Sequence, residues 1–130
     1  MIDETVQYWI ELSEYDLMVA NSMLEKGHYL YVGFMCHQSV EKMLKALYVY
    51  KNKSVPPYIH KLDKLIGLTE LKKVFSEDAY DLMDELTPLN IQARYPAYKE
   101  AIHKLIGKEK ANDILARTKE LVLWLKAQIR

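Results

Sequence analysis

The sequence predicts an all-α domain, an antiparallel up-and-down bundle of four main helices and one short helix. Three observations carry that prediction. Apolar residues recur at steps of three and four along separate stretches, which is the spacing of one helix face. Gly27, Pro56-Pro57 and Thr87-Pro88 punctuate those stretches. No stretch alternates apolar and polar residues with the period of a strand, and there is neither an internal repeat nor a low-complexity segment.

The first helix is expected over residues 3–26. Asp3 is a natural N-cap, and acids crowd the first turn, where the helix dipole favours them. Val6, Ile10, Leu17, Ala20 and Leu24 form one stripe with Ser13 as its polar gap; Trp9, Leu12, Val19 and Met23 form a second, in phase with Asp16. Gly27 is a helix stop, and His28 to Gly33 reads as a connection or a first turn. The central helix follows over 33–51. Its stripe is Cys36, Val40, Met43, Leu47 and Tyr50, widened by Leu44. Leu44→Ala and Leu47→Ala are therefore expected to destabilise strongly. Lys42→Ala, on a separate polar ridge, should cost far less.

Pro56-Pro57 forces a loop, because proline lacks the amide donor and restricts the residue before it. A short helix is expected over 60–67 with Leu62, Leu65 and Ile66 inward, then a turn, then a helix over 76–87 capped by Ser76 and ended or kinked by Thr87-Pro88. Residues 90–100 are aromatic and contain Pro96, the mark of an ordered loop. The last helix, over 108–128, carries Ala111, Leu115, Thr118, Val122, Leu125 and Ile129 as its stripe.

At 130 residues the chain has the size of a single domain, 1–130, able to bury one core. Its formal net charge of zero argues against a dedicated nucleic-acid binder, which needs a basic excess to neutralise phosphates. The charges come in blocks: acids before residue 26, lysines from 42 to 73, and acids again from 76 to 85. Pairing between opposite blocks is the favoured reading. The single Cys36 excludes an intramolecular disulfide and a cysteine-based zinc site. The acidic N-terminus is unlike a signal peptide, and no apolar run approaches the roughly 20 residues a bilayer span needs. A soluble, cytoplasmic protein is expected.

No glycine-rich phosphate loop, nucleophile elbow or zinc-helix motif is present. His28, His37, His60 and His103 lack metal-like spacing, so neither a metal nor a catalytic residue is assigned. Two features remain. Gln38, Glu41, Lys42 and Lys45 share a ridge of the central helix beside His37; on spacing alone this is a solvated face. Arg94-Tyr95-Pro96-Ala97-Tyr98 puts a guanidinium between aromatics in a proline-stiffened loop. There it suits either a phosphate or a structural tie to Asp16 or Glu41.

Four pieces, in order, now carry a resemblance. They are Asp16-Leu17, the run from Phe34 through His37-Gln38-Ser39-Val40-Glu41-Lys42-Met43-Leu44-Lys45-Ala46-Leu47, His60-Lys61-Leu62 after the proline loop, and Arg94-Tyr95-Pro96. Together they resemble HEPN domains, small all-α domains named for nucleotide binding in higher eukaryotes and prokaryotes. The resemblance implies a helical bundle that often dimerises. It also implies several roles: binding a nucleotide, partnering a minimal nucleotidyltransferase, often as a toxin–antitoxin pair, or metal-independent RNA cleavage. Ribonuclease members place a His four to six residues after their Arg. Here His103 follows Arg94 with eight residues between, and Tyr98 occupies the region of the polar active-site residues. The expected protein is thus a non-catalytic binding domain, a homodimer, without cofactor unless a nucleotide is its ligand. Its candidate site is Asp16, Gln38, Glu41, Lys42, Lys45, His60, Arg94, Tyr95 and Tyr98. The alternatives are a ribonuclease built on Arg94 and a structural dimerisation module.

Overall fold

The computed structural model describes residues 3–92 and 106–130, with no side-chain description at 91 and 92. Five helices are present among the described residues: α1 (Glu4–Glu25), α2 (Tyr29–Asn52), α3 (Leu62–Leu68), α4 (Glu77–Gln92) and α5 (Lys108–Ala127). The all-α bundle is as expected. Helix α2 is its axis and packs against each of the other four.

The caps follow local chemistry. The Asp3 carboxylate accepts from the Thr5 amide at 2.7 Å, and the Ser76 hydroxyl accepts from the Ala79 amide at 3.1 Å. Helix α1 closes with Gly27 at φ 79°; the His28 amide bonds the Met23 carbonyl at 2.8 Å and the Gly27 amide the Leu24 carbonyl at 3.1 Å. That double closure satisfies carbonyls a helix end would orphan, and it needs a residue free to adopt positive φ.

Two expectations are corrected here. The central helix starts at Tyr29 and not at 33, so of the two readings of His28 to Gly33 the first turn holds and the connection does not: Gly33 lies inside the helix. A Cβ built on Gly33 would sit 2.5 Å from Leu89 Cδ1, so the missing side chain is what lets α4 approach α2. Nor does Pro88 end α4, which runs on to Gln92. Proline removes the donor to the Asp84 carbonyl, but Asp84 and Pro88 are both exposed, so that carbonyl can bond water. Leu82, Leu86 and Leu89 meanwhile stay buried on the far side and carry the helix past the proline.

The core takes the predicted stripes of α2, α3 and α5, with Leu44 and Leu47 wholly buried and Tyr50 partly so. On α1, Ser13 is not a gap. Its hydroxyl donates to the Ser39 carbonyl at 2.7 Å while the Ser39 hydroxyl donates to the Ser13 carbonyl at 2.9 Å. This reciprocal pair stitches α1 to α2 where both are buried.

Candidate functional site

The ridge on α2 is not a solvated face. Glu41 and Lys45 are 4% and 5% exposed, Gln38 and Lys42 are half-buried, and Asp16 on α1 is 6% exposed. The reason is tertiary: α1 covers one side of the ridge, and the 53–61 loop, folded back by its prolines, brings His60 to the other.

Charges buried there are matched. The Lys42 ammonium donates to Asp16 Oδ2 at 2.5 Å, joining the first acidic block to the lysine block. The Lys45 ammonium donates to Glu41 Oε2 at 3.1 Å, and His60 Nδ1 reaches the same oxygen at 3.0 Å. His37 Nδ1 lies 3.9 Å from Glu41 Oε1. The latter oxygen is buried and accepts no hydrogen bond among the described residues. Both lysines are thus committed to carboxylates, and the cluster is not an empty anion hole. Of the other opposite-charge contacts, Glu14 meets Lys126 and Glu85 meets Lys110 and Arg117, so the blocks pair in part with the C-terminal helix rather than with one another.

Two aromatic residues join the cluster that the motif reading did not single out. Lys45 Nζ lies 5.7 Å from the Trp9 ring centre and 6.0 Å from that of Tyr58. Tyr58 also stands edge-on to His60, 5.0 Å between centres at 75°. Tyr58 is nevertheless 92% exposed. The available signals were local: Tyr58 follows the proline pair, and Trp9 stands one heptad before Asp16 on the same helix face.

Asp16, Glu41, Lys42, Lys45 and His60 are therefore brought together, with Gln38 beside them on α2. Arg94, Tyr95, Tyr98 and His103 lie outside the described residues. Among the described residues no three His, Cys, Asp or Glu side chains converge as a metal site. Cys36 is buried, and burial pushes its thiol up to about 12, which makes it a packing residue and not a nucleophile. No described helix is long and apolar enough to cross a membrane.

Comparison with known proteins agrees with this architecture. The fold is similar to that of TT1696 from Thermus thermophilus, at 17% identity and a TM-score of 0.78, covering 96% of this chain and 98% of that one. It is also similar to ST0689, an archaeal HEPN homologue, at 21% identity and a TM-score of 0.67, with coverage of 96% and 98%. No curated protein matches. The HEPN domain model matches residues 6–128, nearly the whole chain, and the chain belongs to the HEPN domain family.

Proposed function

We propose that this HEPN domain is a non-catalytic nucleotide-binding module whose base platform is Tyr58. The observation that carries the reading is an aromatic residue left almost wholly exposed and edge-on to a histidine that buried Glu41 anchors. Every nucleobase has a face that stacks on such a ring. Phosphate neutralisation falls to lysines outside the matched pairs: Lys51, Lys53, Lys61 and Lys64 are exposed on the same loop and its flanking helix ends, against one acid, Asp63. Arg94, read from the sequence, is the further anion-binding candidate.

Calorimetric titration with AMP and ATP, with inorganic phosphate as control, tests this. Tyr58→Ala should weaken nucleotide binding by about 1–3 kcal/mol and leave phosphate binding unchanged. Arg94→Ala and Arg94→Lys should both weaken it, since lysine lacks the planar fork. Wild type that binds neither nucleotide at millimolar concentration would sink the reading. RNA cleavage by wild type that disappears in Arg94→Ala would replace it with the ribonuclease.

A second observation favours a protein partner. Tyr8, Tyr15 and Met18 are exposed along one stripe of α1. Exposed apolar surface of this kind marks contacts. We assign it to a second copy of the chain; the other occupant is a nucleotidyltransferase, as in toxin–antitoxin pairs. Light scattering at tens of micromolar should give a dimeric mass that Tyr15→Glu with Met18→Glu reduces to a monomer. A monomeric wild type removes the homodimer.

A further inference from the structure

A groove of about 560 Å³ runs between the start of α4 and the second half of α5, remote in sequence from both surfaces described above. Its apolar lining comes from Val74, Phe75, Ala79, Leu82, Leu121 and Trp124. The walls are built before any partner arrives. Phe75 packs edge-on against Trp124, 5.2 Å between ring centres, and leans on Tyr80 at 5.7 Å. The Tyr80 hydroxyl donates to the Lys72 carbonyl at 2.6 Å, pinning the turn before α4 to the helix itself.

The charge in the groove is one-sided. Arg117 lies in the wall, but its guanidinium donates to Glu85 at 2.7 Å and to Asp113 at 3.0 Å, and so is already compensated. What remains is Asp78 on the α4 side and Glu120 on the α5 side; both are exposed, and neither makes an ion pair among the described residues. We propose that this groove docks a basic segment of a partner polypeptide, anchored by apolar side chains on the Phe75–Trp124 floor and by lysine or arginine at Asp78 and Glu120. Charge complementarity selects that occupant. A neutral or acidic segment would cover two carboxylates without a partner for either, whereas an ammonium or guanidinium pairs with them. The site lies apart from Tyr58 and does not depend on nucleotide binding.

The test is a two-dimensional amide NMR titration of the full chain with a short amphipathic Lys/Leu peptide, and with its Glu/Leu counterpart as control. The Lys/Leu peptide should shift the resonances of 74–82, 117–124 and the Trp124 indole, saturably and less tightly at higher salt. Asp78→Asn with Glu120→Gln should weaken binding by about tenfold or more, as loss of paired charges does. Tyr58→Ala, which is expected to weaken nucleotide binding, should leave the peptide's affinity as in wild type. Should the double variant fail to fold, the salt dependence and the Glu/Leu control decide on wild type. Equal binding of the Glu/Leu peptide, shifts centred elsewhere, or no binding at millimolar peptide would overturn the proposal. Butylammonium alone producing the full set of shifts would overturn it too, by reassigning the groove to small amines.

Discussion

Two groups of ion pairs use the same residue types to opposite effect. Between α1, α2 and the proline loop, Asp16, Glu41 and Lys45 are almost inaccessible, with Lys42 partly covered and His60 at the exposed rim. Between α4 and α5, Glu85, Lys110, Asp113 and Arg117 form a comparable network in the open, their side chains 30–51% exposed. In the open group water screens each charge and would solvate it if its partner were lost. In the closed group nothing replaces a lost partner. The lesson is that ion-pair geometry says little about energetic weight until burial is known: burial makes a matched pair a requirement and not a bonus.

Breaking the buried group should have the largest effect. Glu41→Ala leaves the Lys45 ammonium buried without its carboxylate and should cost about 3–5 kcal/mol by denaturant melts. A loss under about 1 kcal/mol would mean that water reaches the cluster, and the contrast between the two groups would fail. Leu44→Ala and Leu47→Ala, wholly buried beside it, should cost about 2–5 kcal/mol each through lost methyls and the cavity left behind.

Lys42→Ala falls between the groups. A freely exposed lysine would cost almost nothing to remove, but this one satisfies Asp16, so about 1–3 kcal/mol is expected from the orphaned carboxylate. Asp16→Asn in the same background should recover part of that loss. If it recovers none, the pair is energetically independent.

The open group supplies the smallest effect. Glu85→Ala should cost under about 1 kcal/mol and less in high salt. Its pH dependence has a definite sign. Burial alone would raise the Glu85 carboxyl, but Lys110 and Arg117 outweigh it and hold it below its ordinary value of 4.5. A depressed carboxylate contributes stability that is fully present above that value and is lost as the pH falls through the lower native one. A carboxyl NMR titration placing Glu85 at or above 4.5 would show that the contacts in this network do not hold in solution.

The class, the helices and most of their buried faces are legible in the sequence. Those follow from local spacing and local breakers: Asp3 and Ser76 cap, Gly27 stops, Pro56-Pro57 forbids helix, and the α2, α3 and α5 stripes go inward. Tertiary structure decided what depends on a neighbour. Gly33 read as the edge of a connection or a first turn until Leu89 came to lie against it inside the helix, and Pro88 read as a stop or a kink until the burial of Leu86 and Leu89 outweighed one lost hydrogen bond. Ser13 read as a gap until Ser39 met it. The ridge of Gln38, Glu41, Lys42 and Lys45 has the pattern of a solvated face, because helical period reports which residues share a side and not what covers that side. Only when α1 brings Asp16 and Trp9, and the loop brings Tyr58 and His60, does that side become a buried, charge-matched cluster with one aromatic ring left facing water.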